Sequence, residues 1–96
     1  MKRFEIARTP EIQALIAKYE NLGQDFVVSD EDLMVQRIAS QMDEYSRVLW
    51  YAYTENHSIL KLAKFFGTTS YKARAAIDEL KAQVKKIMRN ERNRKD

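Results

Sequence analysis

The chain has no cysteine, one proline, one histidine and two glycines among 96 residues. Without cysteine there is no disulfide, no thiolate metal site and no cysteine nucleophile. Two isolated glycines leave no glycine-rich loop to cradle a phosphate, and no serine stands in a nucleophile elbow. His57, the lone histidine, lies in a polar stretch with no partner near it in sequence, which reads as a solvent-facing loop residue rather than a general base or metal ligand. These absences argue against an enzyme and imply no cofactor. No apolar run approaches the roughly 20 residues of a membrane span. Residues 1–8 lack the apolar core of a signal peptide, so a cytoplasmic setting is the expectation.

What is present is an uneven distribution of charge. Residues 1–57 carry six Lys or Arg against ten Asp or Glu, a balance of −4, and residues 58–96 carry eleven against four, a balance of +7. A basic C-terminal segment is the electrostatic footprint of a nucleic-acid binder. A chain of this length builds one domain with a single core, here residues 1–96.

Apolar residues recur at helical spacing along most of that length, giving an all-α fold of four or five helices. Residues 2–8 alternate loosely, with Phe4 and Ile6 on one side, as a short strand or an extended arm. Thr9-Pro10 opens a helix with the stripe Ile12, Leu15, Ile16, Tyr19 and Leu22, closed by Gly23. Phe26, Val27 and Val28 form either a connector on the core or a partner for residues 3–7. Ser29-Asp30-Glu31-Asp32 combines a capping serine with first-turn acids, a helix start rather than a metal site. That helix carries Leu33, Met34, Ile38 and Met42, with a break near Met42-Asp43. Asp43 then caps a helix bearing Tyr45, Val48, Leu49, Ala52 and Tyr53. The aromatics Tyr45, Trp50, Tyr51, Tyr53, Phe65 and Phe66 read as core rather than as a stacking platform.

Residues 58–81 are the most informative segment. Ile59, Leu62, Ala63 and Phe66 share one face of a short helix capped by Ser58; Gly67 begins a three-residue turn, and Thr69 stands at the N-cap of the next helix. In that helix Ala73, Ile77, Leu80 and Val84 share one face. This is the pattern of a DNA-binding helix-turn-helix. With those four residues buried, a 100° step per residue turns Tyr71, Arg74, Ala75 and Asp78 outward, with Ser70 and Lys72 at the flanks. Ser70, Tyr71, Lys72 and Arg74 are therefore the candidates for contact with double-stranded DNA, and Lys81, Lys85 and Arg89 for contact with phosphates. Ile77, Leu80, Val84 and Ile87 follow three- and four-residue steps, the spacing of a packing seam. Its C-terminal part needs cover either from the stripe of the first helix or from a second subunit, and a homodimer is the expectation.

Met42 to Leu49, with Arg47-Val48-Leu49 and the tyrosines Tyr51 and Tyr53, and then Leu62-Ala63-Lys64-Phe65-Phe66-Gly67, resembles region 4 of bacterial sigma-70-type factors. Ala73-Arg74-Ala75-Ala76-Ile77 is similar to the start of that family's recognition helix. The resemblance covers residues 42–88. Met42 and Asp43 replace the family's usual Leu-Pro, Thr68 replaces a hydrophobic residue, and Asp78 and Glu79 oppose phosphate contact. Residues 1–41 then form a helical N-terminal extension, too short for the domain that melts promoter DNA, and residues 89–96 a frayed basic tail. The resemblance implies a small transcriptional regulator of the kind found in phages and mobile elements. Two alternatives accompany it: an adaptor or inhibitor bound to RNA polymerase, and a DNA-packaging subunit resembling a small terminase.

Overall fold

Each of the five helices opens on a side-chain oxygen that accepts a backbone N–H three residues on. Thr9 accepts from Ile12 at 3.2 Å, Ser29 from Asp32 at 3.1 Å, Asp43 from Ser46 at 3.0 Å, Ser58 from Lys61 at 3.4 Å and Thr69 from Lys72 at 3.1 Å. Such caps satisfy donors that the first helical turn leaves unpaired. The computed structural model describes residues 3–20 and 29–93, and among them the elements are α1 (Pro10–Glu20), α2 (Asp30–Ala39), α3 (Glu44–Glu55), α4 (Ile59–Phe66) and α5 (Ser70–Asn93). The described residues contain no strand, and the fold is all-α. The expected roles of Leu22, Gly23 and Phe26 to Val28 lie outside the described residues.

α3 is the hub, touching α1, α2 and α5, while α4 packs chiefly on α5. Its buried Val48, Leu49, Tyr51 and Ala52 meet Ile12, Leu15 and Tyr19 of α1 and Ile38 and Ala39 of α2 in one core. Tyr51 and Tyr19 stack with centroids 4.9 Å apart and planes inclined by 6°. The Tyr51 hydroxyl donates to Glu20 at 3.3 Å, and burial together with that carboxylate pushes its pKa up to about 12. Of the other aromatics assigned to the core, Phe66 is buried and Tyr45, Trp50 and Tyr53 are half-buried, but Phe65 is exposed. Phe65 stands one residue, about 100°, around α4 from the buried Phe66 and so falls away from the buried face.

Residues 3–9 form an arm without regular secondary structure rather than a strand. Phe4 wedges between Tyr45, at 5.6 Å, and Phe66, at 5.7 Å, and so ties the chain start to both α3 and α4. Arg3 adds a 2.6 Å ion pair with Asp43 and lies 4.6 Å from the Tyr45 ring centroid.

Three further expectations require correction. α2 ends at Ala39, before Met42; Ile38 and Ala39 are buried and Val35 is half-buried, while Leu33 and Met34 stay exposed. The Trp50 indole N–H donates to the Val35 carbonyl at 3.0 Å, which pins the C-terminal part of α2 beside α3. α5 is helical to Asn93, beyond the expected limit of residue 88, and Arg37 and Glu91 pair at 3.0 Å near its end. Finally, the α1 stripe faces α3, so cover for the C-terminal half of α5 comes from α2, and Ile87 is only 9% exposed within the single chain.

Candidate nucleic-acid interface

The turn between α4 and α5 is built by backbone hydrogen bonds. Gly67 adopts φ 67° and ψ 35°, the left-handed conformation that costs other residues most. The Thr68 N–H reaches back to the Ala63 carbonyl at 2.9 Å and the Gly67 N–H to Lys64 at 3.2 Å, which closes α4 in a Schellman arrangement. A Cβ on Gly67 would meet nothing within 4 Å, so the requirement for glycine is one of backbone angle, not of space. Thr69 then caps α5 and sets its direction.

α4 and α5 pack directly on one another. Ala63 of α4 is buried, as are Ala73, Ala76, Ile77 and Leu80 on the inner side of α5. Ala76 belongs to the buried face although the spacing argument omits it, and Val84 is half-buried rather than buried. Burial of that face turns the opposite one to solvent. Ser70, Tyr71, Lys72, Arg74 and Asp78 are exposed, Tyr71 by 83%, and Ala75 is half-buried.

The seven candidate residues do not form one patch. Ser70, Tyr71, Lys72 and Arg74 gather on the first turns, whereas Arg89 lies about 27 Å farther along the axis, at the azimuth of Tyr71. Arg74, Lys81 and Lys85 fall within about 40° of one another around the helix. Arg92, also exposed, continues the same stripe and was missed; the 7-4-7 spacing of residues 74, 81, 85 and 92 is the signal that reveals it. Lys72 lies on the other flank with Glu79, which also acts electrostatically on Arg3. Among the described residues, no carboxylate lies within ion-pair distance of Lys72, Arg74, Lys81, Lys85 or Arg89. The first turn of α5 carries no acid, so the positive end of the helix dipole adds to these cations. Asp78 interrupts the outer face one turn beyond Arg74.

Elsewhere the surface offers little chemistry. His57 is exposed in the α3–α4 connector and meets Tyr53 edge-on at 4.8 Å. Among the described residues no three His, Asp or Glu side chains are grouped to hold a metal ion, and no helix is long and apolar enough to cross a membrane. Asp30, Glu31 and Asp32 stand in the first turn of α2, under the Ser29 cap. Comparison of the chain with protein families, curated proteins and solved structures finds no match.

Proposed function

We propose that this chain is a DNA-binding transcriptional regulator that places the N-terminal half of α5 in the major groove. The observation that carries this reading is an exposed Tyr71, Lys72 and Arg74 directly after a capped, left-handed turn, with no carboxylate among the described residues engaging the two cations. Arg74 is the best donor for a base edge. Lys81, Lys85 and Arg89 climb away from the groove and serve phosphates, since a helix of about 36 Å is far longer than the groove is wide. The resemblance to sigma-70 region 4 points the same way.

A second reading, an adaptor on RNA polymerase, is favoured by Asp78, which stands exposed on the very face that would meet DNA. In either case Ile87 needs no second subunit, and a dimer would have to use Val84 and Met88 instead.

Fluorescence anisotropy with duplex DNA across a salt series tests the proposal. Log affinity should fall linearly with log salt, and Lys81→Ala and Lys85→Ala should each flatten the slope by about 0.9. Arg74→Ala should cost about 1–3 kcal/mol on a selected site and less on random duplex. Absence of salt-dependent duplex binding refutes the reading, and retention of the chain on RNA polymerase in that case would favour the adaptor.

A further inference from the structure

Beside the outward face of α5 runs an open groove of roughly 520 Å³ between α3 and α5. Leu80 is buried in its lining, and Trp50, Tyr53 and Val84 present half-buried apolar surface to it. The Trp50 indole N–H is already satisfied by Val35, so the ring asks for no polar partner there. Lys81 and Lys85 stand exposed along one side, and the Lys81 ammonium lies 5.6 Å from the Tyr53 ring centroid. Asp78 is the single carboxylate in the lining, and it pairs with neither lysine.

We propose that this groove docks an acidic amphipathic helix of a partner protein. Its apolar stripe would lie on Trp50, Tyr53 and Val84, with carboxylates four residues apart over Lys81 and Lys85. The apolar lining calls for an apolar ligand face, and two unpaired cations call for negative charge beside it. Lys81 and Lys85 are one helical turn apart, roughly 6 Å, and acids at i and i+4 on a second helix repeat that spacing. Asp78, nearly two turns from Lys85, disfavours a further acid at its own end of the groove. The groove follows α5 for about 10 Å and is open at the surface, which suits a helix better than an enclosed small molecule. A phosphate backbone would leave the Trp50 and Val84 surface unused. Because Lys81 and Lys85 also serve the proposed DNA contact, an occupied groove competes with DNA.

Trp50 is the only tryptophan in the chain, so its emission reports occupancy directly and without DNA. The probe is an amphipathic peptide of about 15 residues with a leucine stripe flanked by glutamates four residues apart. Its counterpart carries lysine at the glutamate positions. The glutamate peptide should change Trp50 emission saturably, and the lysine peptide should bind at least about tenfold more weakly. The double variant Lys81→Glu, Lys85→Glu, with unchanged circular dichroism because both side chains are exposed, should reverse that order. Equal binding of the two peptides, no response to the glutamate peptide, or an unaltered order in the double variant overturns the proposal. A saturable emission change with duplex oligonucleotide, with none from the glutamate peptide, would assign the groove to nucleic acid and overturn it. Emission that shifts on dilution without peptide would assign it to a second copy, with the same consequence.

Discussion

The arm and α1 spend their charges differently from α5. Arg3 pairs with Asp43, Arg8 with Glu44, Lys18 with Glu55 and Glu20 with Arg47, and each pair ties the arm or α1 to α3. Arg47 Nε stands 3.1 Å from Glu20 but out of line for a hydrogen bond, so that contact is electrostatic. On α5 the exposed Arg74, Lys81 and Lys85 have no such partner among the described residues. The same side-chain types thus close an internal interface in one region and face outward in the other. Surface pairs contribute little each, about 0–1 kcal/mol, so the first region is held mainly by its apolar contacts. The second region leaves its positive charge without a carboxylate partner among the described residues.

The contrast is broken most severely by Tyr51→Ala. Tyr51 is 1% exposed and stacks on Tyr19, so the variant should lose about 3–5 kcal/mol in urea or thermal unfolding. Because α3 also supports α5, far-ultraviolet dichroism should fall in one transition; α5 melting separately would show that the two regions are independent.

Next in size are changes at the α4–α5 turn. Ala63→Leu should cost about 1–3 kcal/mol by forcing the two helices apart. Gly67→Val should cost about 1–2 kcal/mol through the left-handed backbone alone. Since a Cβ there meets open space, Gly67→Asn should be milder than valine; equal losses would mean that side-chain size, not backbone angle, sets the cost.

The smallest effect belongs to the arm. Arg3, by its hydrogen bond, and then the Ser46 N–H hold the Asp43 carboxyl below the usual carboxylate range. A lowered folded pKa means that the stabilisation is present above the ordinary value near 4 and is lost as pH falls through the lowered one. Arg3→Ala should remove less than about 1 kcal/mol at neutral pH, because both partners are half-exposed. It should also flatten the acid limb of a stability-pH curve without abolishing it, since the Ser46 contact remains. An unchanged acid limb would mean that the arm does not hold Asp43 in solution.

How much was legible differs by interaction range. Thr9, Ser29, Asp43, Ser58 and Thr69 could each be read as a cap because the hydrogen bond spans three residues. The Gly67 turn was legible for the same reason. Leu33 and Met34 lie on α2 as expected, but that they stay exposed was not legible, because α2 carries apolar residues on more than one face and periodicity does not say which face is buried. The basic stripe on α5 was legible only in part: Lys72 and Arg74 are close in sequence but fall on opposite flanks, and Arg92 sits beyond the expected helix end.

The sequence by itself determined the helical class, the five helix starts, the α4–α5 turn and the excess of positive charge after residue 58. All of these rest on local backbone chemistry or on composition. Only the tertiary structure decided that α2 rather than α1 covers Ile87, that Phe4 clasps α3 to α4, and that Trp50 and Tyr53 line a groove beside Lys81 and Lys85. These outcomes depend on contacts such as Trp50 to Val35, 15 residues apart, and Arg3 to Asp43, 40 apart. Which apolar stripe is buried is a competition among distant segments, and no short window of sequence contains all the competitors.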